Sequence, residues 1–287
     1  MSNGSMTQGL DLGRELAIFT IAASNYLAHA SVLGASVAAH HPGPKVIVFL
    51  LDAPPDGLAI PDHLTIVPPQ HALERREWNH RQAHYDILEF ATSIKPECFR
   101  YLFAQGVERA VYLDPDIQLF QRVDQFWDGD TRDAALVLTP HILSPLPDDG
   151  CSPDDLSIMR AGLDNLGFAA LRSTPEARAL VQWWSEKLHR HCLADVREGV
   201  FTDQKWMDYA PLLVREHVVL QHPGFNVAYW NMHERVPRFA DGRWQVADAA
   251  EQPGAAHTSR HDLVFFHFSG FAPGEARISR HEDRFGA

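Results

Sequence analysis

Cysteine is scarce. The three present, Cys98, Cys151 and Cys192, stand far apart in 287 residues and form neither a Cys-x-x-Cys pair nor a disulfide framework, which fits a reducing cytoplasm. Apolar runs of membrane-spanning length are missing too, so no membrane span is expected. Positive charge is in deficit: 25 Lys plus Arg face 37 Asp plus Glu, for a net charge of −12. No basic stripe interrupts that balance, which argues against a nucleic-acid partner. An anionic ligand would need a local cation or a metal. The opening "MSNGSMTQG" lacks the basic-then-apolar pattern of a signal peptide. Residues 1–13 are read as a disordered tail or an expression remnant, and 14–287 as one domain. Histidine is plentiful at 17, and scattered cases such as His40, His41, His189 and His191 read as solvated.

The apolar pattern is that of an α/β protein. "ELAIFTIAA" (15–23) reads as a strand. The helical spacing of "SNYLAHASVLGASVAAHH" follows, with Ser24 or Asn25 as its N-cap. "KVIVFLLD" (45–52) is apolar almost throughout, as expected of a parallel strand covered on both faces, and "LTIVPP" is a short third strand. Strand, helix and strand with short connections make a βαβ unit. Residues 80–105 read as helix, broken near Lys95-Pro96 and ended by Gly106, before the strand 109–113. Later come strands in "AALVLTPH" and "NLGFAALRS", a helix over 175–194, and late strands in "HVVLQHPGFNVAYWN" and "DLVFFHFSG". The stretches 144–155 and 240–260 are expected to be loose, as lids.

"RAVYLDPDIQLF" (109–120) raises the chemical question. An apolar strand runs into Asp114 and Asp116, two carboxylates that repel unless something positive sits between them. Residues two apart on an extended strand point the same way, and Pro115 marks the strand's carboxyl end, where ligands of open α/β sheets collect. Such a pair suits Mg²⁺ or Mn²⁺ with substrate phosphates completing the shell. Asp-Pro-Asp is equally good turn chemistry. A haloacid-dehalogenase-type phosphohydrolase, with an aspartate nucleophile after such a strand, is the third reading; Gln118 stands where that family wants a small hydroxyl or branched residue.

In order along the chain, "FTIAASNYLAHASVLGASVAAHHPGPKVIVFLLD", "SIKPECFRYLFAQGVERAVYLDPDI", "DNLGFAALR", "FTDQKWMD" and "FFHFSG" resemble a GT-A glycosyltransferase, most of all the retaining family 8 type that includes glycogenin and bacterial galactosyltransferases. The resemblance implies a Rossmann-like nucleotide-binding α/β domain with a mixed, mostly parallel sheet flanked by helices. It implies transfer of a sugar from a nucleotide-diphosphate donor, with retention, to a saccharide, protein or small-molecule acceptor. Asp114, Asp116 and His267 would hold Mn²⁺ or Mg²⁺; for His267 alone, a core histidine among Phe265, Phe266 and Phe268 is the competing reading. Donor contacts are implied at Thr20, Ala22, Asn25, Tyr26, Lys95, Asp114, Asp164, Asn165, Gly167 and Gly270. Tyr26 would stack on the base and Lys95 would reach the diphosphate, against a plain reading of Lys95 as a solvated helix-end lysine. Asp203 and Gln204 are assigned jointly to the reactive face of the donor, with an N-cap as the alternative for Asp203. Trp230, Asn231 and His233 would shape an acceptor site, or serve as core strand and loop.

Two departures from the family pattern stand out. Where the family has acidic residues before Asn-Tyr, one of which reads uracil, this chain has Ala23 and Ser24, so GDP- and dTDP-sugars stay open beside the UDP-sugar that the resemblance favours. The lysine expected after Gly270 is absent, and Arg277 or Arg280 is the candidate substitute. These departures also keep open a non-catalytic sugar-nucleotide or partner-binding domain.

Overall fold

The computed structural model describes residues 12–54, 57–248, 260–275 and 277–285. Most of the expected tail (1–11) and residues 249–259 of the second loose stretch lie outside the described residues. Strand β1 (Leu16–Ala22), helix α1 (Leu27–His40), β2 (Val46–Leu50) and β3 (Leu64–Val67) form the expected βαβ start. Helices α2 (Arg75–His84), α3 (Ile87–Ser93) and α4 (Lys95–Ala104) lead into β4 (Arg109–Leu113) and the short β5 (Ile117–Leu119). Then come β6 (Leu136–Pro140), α5 (Asp155–Ala161), β7 (Asp164–Arg172), α6 (Pro175–Leu188), α7 (Ala210–Leu213) and β8 (His217–Val219). The chain closes through β9 (Arg235–Ala240), β10 (Arg243–Asp248), β11 (Arg260–Asp262) and β12 (Phe265–His267).

The central sheet has seven strands in the order β3-β2-β1-β4-β7-β6-β8. All but β7 point the same way, because β7 pairs antiparallel with both β4 and β6 while the other pairings are parallel. Strand order reverses between β1 and β4, which opens a crevice at their carboxyl ends. Period-two alternation splits the core between the two faces. Ala17, Phe19, Ile21, Phe49 and Tyr112 point to the layer that packs α4 and α6. Ile18, Val48, Val111 and Leu113 point to the layer of α1, Phe168 and Phe265. Phe19 meets Phe49, Phe99 and Tyr112 edge-on at 5.8, 4.8 and 5.3 Å. Each fully buried phenylalanine here contributes about 1.5–3 kcal/mol of transfer free energy.

Several expectations are corrected. The helix over 80–105 is three pieces. Asp86 starts α3 through a capping box with Glu89, and Lys95-Pro96 open α4, where proline is tolerated in the first turn. Neither Ser24 nor Asn25 caps α1: the chain makes a 3₁₀ turn over Ser24–Tyr26 first. The Ser24 amide and hydroxyl instead donate to the Asp52 carboxylate at 2.6 and 2.7 Å, a charged acceptor that outcompetes a helix end. Helix α6 stops at Leu188, and of the stretch 217–231 only β8 is strand. Within the second stretch, the described residues 243–248 are strand β10, paired with β9.

The 144–155 loop is tethered rather than loose. Leu143 N and Ser144 Oγ donate to the Glu234 carboxylate at 2.8 and 2.6 Å. Arg284 grips Asp149 with two nitrogens, at 2.7 and 3.0 Å. Arg284→Ala should therefore speed limited proteolysis within 144–155 several-fold while the urea midpoint scarcely moves, because local opening and global unfolding are separate equilibria. Unchanged cleavage would show that the Glu234 tether suffices alone.

Candidate active site

Beyond Leu113 the chain turns at once, with Ile117 N donating to Asp114 O at 3.1 Å. The turn reading and the converging carboxylates thus describe one feature: Asp-Pro-Asp is the turn from β4 to β5, and its bend, not the pleat of a continuing strand, brings the two side chains together. Strand β5 then pairs antiparallel with β12, setting His267 opposite Ile117, and Phe268 N donates to Asp116 O at 2.9 Å. The pairing delivers the imidazole to the carboxylates. His267 Nε2 lies 3.6 Å from Asp114 Oδ2 and 3.1 Å from Asp116 Oδ1. The His267 side chain is 3% exposed, against 30% for Asp114 and 18% for Asp116, so the open side of the cluster faces outward.

Electrostatics match this crowding. Burial holds the Asp114 carboxyl above its usual range, Asp116 adding to the effect against Lys95 and His267. Burial would raise Asp116 as well, but the charge and hydrogen bond of His267 carry it below. His267 is raised, the two carboxylates outweighing the desolvation that would lower it. Among the described residues, Asp114, Asp116 and His267 are the one cluster of metal-ligand type, with donor atoms within 4.8 Å of one another. Neighbouring ligands of an octahedral ion with bonds near 2.1 Å lie about 3 Å apart, so the spacing fits a divalent cation. Two carboxylates with one imidazole suit Mn²⁺.

The surroundings pack against His267. Trp230 stands edge-on to its ring at 5.2 Å and to His141 at 5.3 Å. A Cβ on Gly167 would come within 2.4 Å of His267 Cε1, so glycine there is what lets the imidazole in. Asn165 Oδ1 meets His267 Nδ1 at 3.1 Å. Asn231 spends its amide internally, donating to His141 O and Asn226 O and accepting from Ala228 N. His233 sits farther out, its Nε2 3.3 Å from Ser144 O. Gly270, at φ +72°, has its Cβ position filled by His281 and Ser279, and thus admits the C-terminal segment. Arg280 bonds back to Gly270 O through its amide, and Arg277 is exposed.

Lys95 is no solvated lysine. It is 1% exposed, donates to Leu166 O at 2.8 Å, pairs with Asp203 Oδ2 at 2.5 Å and covers the Tyr112 ring at 4.2 Å. Asp203 makes no N-cap. It follows Thr202, a β-branched residue at φ +46°, a strained conformation that turns Asp203 and Gln204 inward. On the other side of the crevice, Thr20 and Ala22 are buried in β1, whereas Asn25 and Tyr26 are exposed. Sequence reasoning missed Tyr112, whose hydroxyl donates to Asp114 Oδ1 at 2.5 Å. A phenol two places before an aspartate, in an otherwise apolar strand, was the available signal. It also missed Asp52, the acid that Ser24 holds, and His141.

No family model matches the chain. It is 24% identical over 193 residues to the uncharacterized protein YfnF of Bacillus subtilis (strain 168), covering 65% of this chain and 58% of that one. It is 25% identical over 214 residues to the uncharacterized protein YfnD of the same strain, covering 73% and 62%. The chain thus spans less than two thirds of the length of either relative. Similar solved structures include the galactosyltransferase LgtC with donor and acceptor sugar analogs, at 17% identity, 74% and 75% coverage and a TM-score of 0.46. An active-site mutant of LgtC follows at 16%, 87% and 86%, and 0.48, and the apo bifunctional glycosyltransferase WbbM at 13%, 79% and 42%, and 0.47.

Two outcomes test the site's electrostatics. A buried ion pair is costly to break and cheap to replace whole. Lys95→Met should therefore destabilise the fold by about 3–5 kcal/mol in urea titration, and Lys95→Met with Asp203→Leu should recover most of that. A fully stable single variant would mean the pair carries no uncompensated charge. Asp164 is the second case: burial, with Asp208 adding to it, pushes its pKa up to about 6. The folded state then holds the proton more tightly than the unfolded chain does. That contribution is present below pH ~4 and is lost as pH rises toward ~6, a change of about 3 kcal/mol. Asp164→Asn should accordingly be the more stable protein above pH ~6 and lose its advantage below pH ~4.

Proposed function

We propose that the chain is a glycosyltransferase that moves a sugar from a nucleotide-diphosphate donor, with retention, using Mn²⁺ or Mg²⁺. The observation that carries this reading is the convergence of Asp114, Asp116 and His267 at the carboxyl ends of the strands, beside the point where strand order reverses. Such a crevice is where α/β sheets bind nucleotides. A divalent ion held by these three residues would neutralise charge developing on the leaving diphosphate. The chain's own groups do the rest. Tyr112 fixes one Asp114 oxygen and leaves the other for the ion. Tyr26 offers an exposed ring to the base, next to the Asp52 carboxylate that Ser24 anchors. Of the pair assigned jointly to the reactive face, Asp203 and Gln204, Asp203 is the charged member, held against Lys95, and would stabilise positive charge developing at the anomeric carbon. A UDP-sugar is the favoured donor. Arg277 and Arg280 are the cations available in place of the missing lysine. Of the three acceptor candidates, His233 is the one only half-buried; Trp230 and Asn231 support His267 and its neighbours. The acceptor is a saccharide, a protein or a small molecule.

The competing reading, a domain that binds sugar nucleotides without turnover, is favoured by one feature: the Lys95 ammonium is spent on Asp203 instead of reaching outward. The two part in one experiment. Thermal shifts with UDP, GDP and dTDP, each with and without Mn²⁺, should show stabilisation that needs both metal and diphosphate, about 2.7 kcal/mol at a ligand concentration 100 times Kd. Sugar transfer from the matching donor should fall at least about 100-fold in Asp116→Asn with the melting point kept. Metal-independent stabilisation would remove the role of the three ligands, and binding without any transfer would leave the non-catalytic domain.

A further inference from the structure

The side chain of Gln204 is fully committed. Its Nε2 donates to Ala161 O at 3.0 Å. Its Oε1 accepts from Leu166 N at 3.0 Å and from Asn165 Nδ2 at 3.3 Å. A backbone carbonyl only accepts and a backbone N–H only donates, so the Gln204 amide has a single orientation. Gly162, at φ +125° with its Cβ position 3.2 Å from Gln204 Cγ, is what lets the chain next to Ala161 approach so closely.

That orientation propagates. Asn165 must turn Nδ2 toward the Gln204 oxygen, where His141 Nε2 also lies at 3.3 Å. His141 Nδ1 faces Leu163 O at 3.2 Å, so its Nδ1 carries the hydrogen and its Nε2 accepts. Asn165 Oδ1 is left facing His267 Nδ1 at 3.1 Å. An oxygen acceptor there places a hydrogen on Nδ1, and Nε2 becomes the ring atom presented to Asp114 and Asp116. Gln204, Asn165, His141 and His267 are all buried, so water does not loosen the chain. A carbonyl oxygen that already accepts two hydrogen bonds and is walled in by backbone is poorly placed to approach a sugar carbon.

We infer that Gln204 is a positioning residue: acting through Asn165, it holds the His267 ring and aims Nε2 at the carboxylate pair, and Asp203 alone is left at the reactive face. The inference rests on the metal-holding role proposed for His267. Partners of this kind behind a metal-bound histidine are commonly worth 10- to 100-fold in affinity.

The test uses the whole chain, Mn²⁺ alone as probe, and the ¹⁵N shifts of the His267 ring in metal-free protein at a pH high enough for the ring to be neutral. Gln204→Leu and Asn165→Leu should each weaken Mn²⁺ binding about 10- to 100-fold, by electron paramagnetic resonance titration. Combined, they should lose no more than the worse single variant, as for two links of one chain. The ring signature of a protonated Nδ1, present in the parent, should be lost in both. Losses that add in the double variant would overturn the inference. So would parental Mn²⁺ affinity and ring shifts in Gln204→Leu with transfer lost, which would put Gln204 at the reacting carbon. A parent that binds no Mn²⁺ sinks the proposed function instead, and the ring shifts then still decide whether Gln204 orients His267.

Discussion

Two carboxylates at one sheet edge need a positive partner, and much of this molecule is arranged to supply one. The β5–β12 pair exists to carry His267 across to Asp114 and Asp116. Gly167 clears the space for the ring, and Trp230 walls it. Without an ion, the imidazole is the counter-charge, which is why it and Asp116 shift in opposite directions. The ring nitrogen stands 3.1 and 3.6 Å from the two carboxylates, a spacing that a divalent cation would also suit. Repulsion within the pair is thus a reason for the site, not a defect of it.

A second charge pair lies just behind. Lys95 and Asp203 are both nearly inaccessible, and an isolated charge in either place would be prohibitive. Each is tolerable because the other is there, and because Leu166 O accepts from the ammonium. The pair is also why Asp203 has a fixed position despite following a strained residue. Strain of that kind persists where surrounding contacts over-determine the backbone. Here Trp184 Nε1 on Asp203 O supplies one such contact.

The local rules were readable from sequence. Period two and continuous apolarity gave β1, β2, β4 and β7, and Pro at the start of α4 marked the helix break. The convergence of Asp114, Asp116 and His267 followed from the family resemblance, since the residues alone left a turn and a core histidine open. What was not legible depends on contacts between distant residues. Nothing near Lys95 announces a partner 108 positions later at Asp203. Ser24 looks like a helix cap until Asp52 is placed beside it. Gly167 and Gly270 read as glycines open to a ligand, but the space each leaves is filled by histidines, His267 and His281. Trp230 and Asn231 looked like a surface for an acceptor because aromatic and amide groups suit sugars; both are buried. Propensity and spacing carry no information about which neighbour fills a gap.

The odd strand of the sheet explains how these parts cohere. β7 runs against β4 and β6, so its start, not its end, lies at the carboxyl edge of the others. Three consecutive residues there serve four distant partners. Asn165 reaches His267 on β12. Leu166 gives its carbonyl to Lys95 and its amide to Gln204. Gly167 gives its carbonyl to the Asp114 amide and its empty side to the imidazole. A parallel strand in that place would bring its last residues to the edge, followed by a crossover connection. An antiparallel strand brings its first residues, already locked into the ladder, and so holds four partners with the rigidity of sheet. A cluster of two carboxylates and an imidazole, built on one β-turn and one short edge pairing, gains its fixed geometry from that anchorage, which is why the antiparallel insertion belongs to the site as much as those three residues do.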